Sequence, residues 1–306
     1  MLKGDKRALA RLMTYVDNRH EDLMKIMSEV YGHAGCAYRI GITGPPGAGK
    51  STLVDKLIKH FRGQNKKVGV VAIDPSSPFT GGAVLGDRIR MMDHSSDEDV
   101  FIRSLGSRGS HGGLSRATRD VVCLMDAFGF DTILIETVGV GQTELDIMAV
   151  AHSTVVVLVP EAGDTIQTMK AGLMEIADIF VVNKADREGA DRIYGELLTL
   201  SDMYSSRWKV PVVKTEAVNS KGIVELLRVL SNHAEFMKGN PDSHEHAQKI
   251  LEEECLDIFL SEVHSSLASR FKKGGAYNTI HAGLVDRHVN PYRAAGELLG
   301  RLQWKK

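Results

Sequence analysis

Gly44-Pro45-Pro46-Gly47-Ala48-Gly49-Lys50-Ser51 decides the fold, because it follows the phosphate-binding pattern of Gly, four residues, then Gly-Lys-Ser. Its flanks give the spacing meaning. Tyr38-Arg39-Ile40-Gly41-Ile42-Thr43 reads as a short strand, and Leu53, Val54, Leu57, Ile58 and Phe61 recur at helical spacing. The loop therefore joins a strand to a helix. In that place glycines let successive backbone N–H groups turn towards one anion, and the helix adds the positive end of its dipole. Gly44 to Ser51, with Thr52 behind, are thus expected to bind nucleotide phosphates, Lys50 to bridge the β- and γ-phosphates, and the Ser51 hydroxyl to meet Mg²⁺.

Outward from this loop the chain alternates apolar runs with helical stretches. The runs are Val68 to Ile73, Val100 to Ile102, Thr132 to Ile135, Thr154 to Val159, Ile179 to Val182 and Val210 to Val213. Uninterrupted apolar strands belong to a parallel sheet covered on both faces. The expected fold class is α/β: a doubly wound, mainly parallel sheet of the P-loop kind, with helical extensions at both ends. Residues 1–36 form the first extension, with stripes at Leu9, Leu12, Met13, Val16 and at Leu23, Ile26, Met27, Val30. Residues 37–236 form the nucleotide-binding domain, and 237–306 the second extension. There, His244 to Leu260 and Ser261 to Phe271 are periodic, Gly274-Gly275 breaks the pattern, and Asn290-Pro291 opens a last helix.

Ligands of such a sheet lie beyond the carboxyl ends of its strands, so residues just after each run are the candidates for chemistry. Asp74 and Glu136 each end a run, and Asp87 lies in the glycine-rich stretch Gly86-Asp87-Arg88. With Ser51, Asp74 and Glu136 are expected to serve Mg²⁺, which usually keeps waters and takes one or two carboxylates. Lys50, Asp87 and Glu136 form the expected catalytic set, and Gly139, closing Glu136-Thr137-Val138-Gly139, joins the nucleotide-binding one. A second specific element is Asn183-Lys184-Ala185-Asp186. A carboxylate at Asp186 accepts two hydrogen bonds from N1–H and the exocyclic amine of guanine, an edge adenine does not present. Asn183 is expected to hold the surrounding loops, the Lys184 stem to cover the base, and N–H groups of Glu216 and Ala217 to meet the base oxygen.

Composition narrows the partners. The chain has 306 residues, a formal net charge of −1, and 43% hydrophobic residues. That supports a substantial core and gives no field for nucleic acid or an anionic membrane, so neither is expected. Cys36, Cys123 and Cys255 show no paired spacing, which speaks for a reducing compartment. With no leader or spanning apolar run, the reading is cytoplasmic.

These motifs together resemble the MeaB/ArgK group of GTPases. The likeness rests on the phosphate loop, Asp74-Pro75-Ser76-Ser77-Pro78, Gly81-Gly82-Ala83, Gly86-Asp87-Arg88, Phe101-Ile102-Arg103-Ser104, Glu136 to Gln142 and Asn183 to Asp186, and it runs along nearly the whole chain. Members act as chaperones of adenosylcobalamin-dependent methylmalonyl-CoA mutase, gating cofactor delivery and protecting that enzyme. The resemblance implies GTP and GDP as ligands, Mg²⁺, an adenosylcobalamin-dependent acyl-CoA mutase as partner, and a homodimer built through the C-terminal extension. It also implies that Asp74, Asp87 and Glu136 are the metal and switch acids, with Arg90 in the same switch. A third switch, coupling nucleotide state to the mutase, falls on Glu161 to Lys170 through Asp164, Gln167 and Lys170. The family's wording changes at Leu105 to Gly113.

Two other classes compete. A nickel-insertion GTPase needs soft or imidazole ligands near the nucleotide, and no Cys-x-x-Cys or Cys-Pro-x-Cys stands there. A transport-linked phosphotransferase needs a second substrate pocket and a base, and a guanine-reading loop is unusual for it. One position also bears on rate. Ras-like enzymes orient the attacking water with a Gln after their Asp-x-x-Gly element; here Val140 stands there, unable to hydrogen-bond. Hydrolysis is therefore expected to be slow alone and accelerated by a partner.

Overall fold

The computed structural model describes residues 1–74, 94, 96–106, 116–137, 146–162, 175–203, 207–273, 288 and 290–300. The chain divides into two compact units, Met1–Gly239 and Asn240–Lys306.

The first unit is built on β1 (Tyr38–Thr43), β2 (Val68–Asp74), β3 (Val100–Gly106), β4 (Thr132–Glu136), β5 (Ser153–Leu158), β6 (Ile179–Asn183) and β7 (Val212–Thr215). They form one sheet in the order β3-β2-β4-β1-β5-β6-β7. Each adjacent pair is parallel. From β1 the chain winds towards β2, and from β4 it crosses to β5 on the other side, so winding reverses beside β1. That reversal opens a crevice at the carboxyl edge.

Helices α1 (Lys6–Asp17), α2 (Leu23–Tyr31), α3 (Lys50–Gly63), α4 (Arg116–Phe128), α5 (Ala190–Met203) and α6 (Ile223–Gly239) complete this unit. They cover both faces. Ile40, Ile42, Val68, Val70 and Leu134 pack with residues of α3, α5 and α6, whereas Val71, Ile73, Ile133 and Ile135 pack with residues of α1, α2 and α4. Neighbouring residues of one strand thus enter two different cores, which is why the runs carry no alternation. The first 36 residues contribute Leu9, Met13, Val16, Leu23 and Val30 to the second core. Asp5 caps α1, its Oδ1 accepting from the N–H groups of Arg7 at 2.8 Å and Ala8 at 3.2 Å.

At two strands the limits differ from the apolar runs by more than one residue. β7 starts after Pro211, which has no N–H for a ladder; its carbonyl still accepts from the Phe180 N–H at 2.9 Å. β3 continues through Arg103 and Ser104 because the edge of the sheet tolerates half-exposed polar residues. At the amino edge, the Tyr38 hydroxyl donates to the Leu230 carbonyl at 3.0 Å and lies 2.6 Å from Ser153 Oγ, which lies 2.5 Å from His233 Nδ1. These bonds fasten α6 to β1 and β5. His233 Nε2 also lies 3.4 Å from Asp178 Oδ1, but at 0% and 1% exposure Ser153 and His233 are closed to any substrate.

The second unit contains α7 (Pro241–Lys273) and α8 (Pro291–Gly300). The two periodic stretches expected in α7 form one continuous helix, since no Gly or Pro separates Leu260 from Ser261. It stops at the residue before Gly274. Asn290 caps α8, accepting from the Arg293 N–H at 2.9 Å. Leu251, Leu256, Phe259 and Leu260 of α7 are exposed. Among the described residues no helix is long and apolar enough to cross a membrane.

Candidate functional site

The loop after β1 has the shape that its glycines permit. Gly44, Gly47 and Gly49 all have positive φ, at 136°, 76° and 87°. At Gly44 and Gly49 there is also no room: a Cβ would lie 2.0 Å from the Val157 carbonyl oxygen and 2.4 Å from Asn183 Nδ2, respectively. Only glycine allows the loop to approach β5 and β6 so closely. α3 starts at once with Lys50, and no acidic side chain occupies its first turn, leaving its positive end to an anion.

Lys50 is buried, its ammonium donating to the carbonyls of Gly44 at 2.7 Å and Pro45 at 3.0 Å. The charge therefore sits inside the loop. Beside it, Ser51 Oγ donates to Glu136 Oε1 at 2.6 Å, and both residues are buried. Sheet register explains that pairing. Glu136 is the last residue of β4, opposite Ile42 of β1 and Ala72 of β2, two residues before the phosphate loop begins. Thr137 follows, donating its N–H to the Ile42 carbonyl at 3.0 Å and its hydroxyl to Thr43 Oγ1 at 2.8 Å. Asp74 ends β2, the strand next to β4, opposite Gly106.

Asn183 joins three elements. Its Nδ2 donates to the Ala48 carbonyl at 2.8 Å, while its Oδ1 accepts from Thr215 Oγ1 at 3.0 Å and from the Ala217 N–H at 3.1 Å. It is buried, at the end of β6 opposite Thr215 of β7. The phosphate loop and the loop after β7 thus meet on one amide. Lys184 adopts a left-handed φ of 56°, the Ala185 N–H bonds the Thr215 carbonyl at 3.0 Å, and Asp186 is exposed.

The loop after β7 corrects one expectation. The N–H of Glu216 donates to the Lys221 carbonyl at 3.1 Å and that of Ala217 to Asn183, so in this arrangement neither is directed to a base oxygen. The Glu216 carboxylate accepts from Lys221 Nζ and, at 3.1 Å, from Asn219 Nδ2, which hold its carboxyl below the usual range. Asn219 and Lys221 enter this arrangement without having been singled out in the sequence, where neither gave a signal. Asp87, Arg90, Gly139, Asp164, Gln167 and Lys170 lie outside the described residues, as does most of Leu105 to Gly113.

The site's parts can do three things chemically: receive a polyphosphate on a helix N-terminus, present a hydroxyl and carboxylate to a hard cation, and hold a polar edge of a base near Asp186. Comparison with known proteins identifies the family. A family model described as methylmalonyl Co-A mutase-associated GTPase MeaB matches residues 9–272. The chain is 50% identical over 304 residues to a putative GTPase of Pyrococcus abyssi, covering 98% of this chain and 94% of that protein. It is 34% identical over 246 residues to the mitochondrial methylmalonic aciduria type A homolog of Mus musculus, covering 74% and 59%. The fold is similar to the crystal structure of the LAO/AO transport system kinase, with a TM-score of 0.72 and 24% identity over 99% of this chain and 95% of that one.

Proposed function

This chain belongs to the MeaB family of methylmalonyl-CoA mutase-associated GTPases, and from that membership we propose that it is a cytoplasmic, homodimeric, Mg²⁺-dependent GTPase chaperone. Its client is an adenosylcobalamin-dependent acyl-CoA mutase, whose cofactor loading it gates and which it protects. The observation that carries the nucleotide part is Asn183, a buried amide bonded to Ala48 of the phosphate loop and to Thr215 and Ala217 after β7. Phosphate binding and base reading are thereby made one site.

In this reading the loop Gly44 to Ser51, with Thr52, cradles the phosphates through the N–H groups of its non-proline residues, and Lys50 brings its charge to the β- and γ-oxygens. Asp186 reads N1–H and the amine of guanine, and Lys184 covers the ring. Ser51 and Glu136 suit a hard divalent cation: both present oxygens, and Ser51 gives its proton to Glu136 while keeping lone pairs for a metal. Ser51 would hold Mg²⁺, with Asp74, Asp87 and Glu136 as the supporting acids. Bound there, Mg²⁺ supplies positive charge against the phosphate oxygens. Water placement is the part left incomplete, because Val140 cannot orient it, and Asp87 in the segment Gly81 to Arg90 is the residue assigned to that task, with Gln142 as a weaker candidate. Closure is favoured by the mutase, and Asp164, Gln167 and Lys170 carry the coupling.

Support for the dimer is the apolar stripe of Leu256, Phe259 and Leu260 on α7, exposed within one chain. The nucleotide assignment is tested by Asp186→Asn. Calorimetry should show GTP affinity falling at least tenfold and xanthosine triphosphate, whose 2-oxo group replaces the amine, gaining. Equal binding of ATP and GTP by the unaltered protein would refute the reading.

A further inference from the structure

We infer that Glu216 is a positioning residue for guanine selectivity, holding the loop 217–221 in the shape that locks Asn183 without itself touching the nucleotide. The inference rests on the guanine-site reading above. The Glu216 N–H donates to the Lys221 carbonyl at 3.1 Å, and its carbonyl accepts from the N–H groups of Asn219 at 2.9 Å and Lys221 at 3.3 Å. Its carboxylate accepts from Asn219 Nδ2 at 3.1 Å and pairs with Lys221 Nζ at 2.9 Å. Glu216 thus closes the loop through both backbone and side chain.

The loop needs closing because its backbone is unfavourable. Ser220 has a left-handed φ of 58°, uncommon for a residue with a side chain, and Gly222 has 75° with a Cβ position only 2.0 Å from the Lys214 carbonyl oxygen. Inside this closed loop Ala217 follows Glu216 directly, and the Ala217 N–H is the backbone donor to Asn183 Oδ1. A relay therefore runs from the Glu216 carboxylate to Ala217, to the Asn183 amide, and to Ala48 of the phosphate loop. If the loop opens, Oδ1 loses one of its two donors and the Asn183 amide, then held by Thr215 and Ala48 alone, fixes the start of Lys184 to Asp186 less firmly. Adenine offers nothing to Asp186, so its nucleotides depend on the phosphate end alone.

The test uses the full chain. Glu216→Ala leaves the exposed ends of Lys221 and Asn219 to water and removes nothing from either apolar core, so the variant should fold. Competition titration should give GTP and GDP affinities lowered by about three- to tenfold, the size of a few partly exposed hydrogen bonds. ATP affinity should stay unchanged, so the GTP-to-ATP ratio falls. Glu216→Gln, which keeps an acceptor for both partners, should restore most of the ratio. A ratio unchanged in Glu216→Ala, or GTP and ATP affinities lowered together, would overturn the inference while leaving the site reading intact. A lack of guanine preference in the unaltered protein would overturn the site reading itself, and the inference with it.

Discussion

Gly49 shows how far one hydrogen atom controls the site. With φ at 87° and Asn183 Nδ2 standing where a Cβ would be, alanine there would both strain the backbone and push away the amide that joins the two loops. Gly49→Ala should lower GDP affinity at least tenfold, as read by calorimetry, with the far-ultraviolet circular dichroism of the unaltered protein retained; unchanged affinity would contradict the geometry. These glycines were legible in the sequence because their spacing is fixed by one local turn. The surroundings of Glu216 were not. Its bonds to Asn219 and Lys221, and the diversion of its N–H and that of Ala217, depend on a backbone that doubles back at Ser220 and Gly222, and no periodicity records such a turn.

At the scale of elements, the strands were legible because burial on both faces writes itself as uninterrupted Val and Ile. Where chemistry interrupted burial, limits moved: Pro211 delayed β7, and β3 ran on into half-exposed polar residues. The amino ends of β1 and β5 carry a pH-sensitive contact that the sequence did not signal. His152, just before β5, has Nδ1 at 3.2 Å from the Arg39 backbone nitrogen and Nε2 at 2.7 Å from the guanidinium, and in the neutral ring one of these two nitrogens accepts. Burial, and then the Arg39 charge, push its imidazole down from 6.5 to about 4. A depressed base contributes stability that is full above its unfolded pKa and is lost as pH falls, here between 6.5 and about 4, because the unfolded chain binds a proton that the fold refuses. Denaturant unfolding at about pH 7.5 and about pH 5.5 should therefore differ by on the order of 1 kcal/mol from this group. His152→Asn should remove that part of the slope, and an unchanged slope would contradict the assignment.

On the scale of the whole molecule, nucleotide chemistry belongs to the first unit and the exposed apolar stripe of α7 to the second. Light scattering should find a dimer, and Leu256→Glu with Phe259→Glu should yield a folded monomer that still binds GDP; a native monomer would contradict the assembly. We propose that the client completes this GTPase, since Lys50 with Mg²⁺ would bring positive charge to the γ-phosphate while the sequence has Val140 at the position where Ras-like enzymes carry the water-orienting Gln. It is tested most directly by single-turnover GTP hydrolysis with and without a purified adenosylcobalamin-dependent acyl-CoA mutase. Turnover well below about 1 per second is expected for the protein alone, under the usual range for enzymes, with a marked rise when the mutase is added. Turnover at roughly 1 per second or faster alone, unaltered by the mutase, would contradict it.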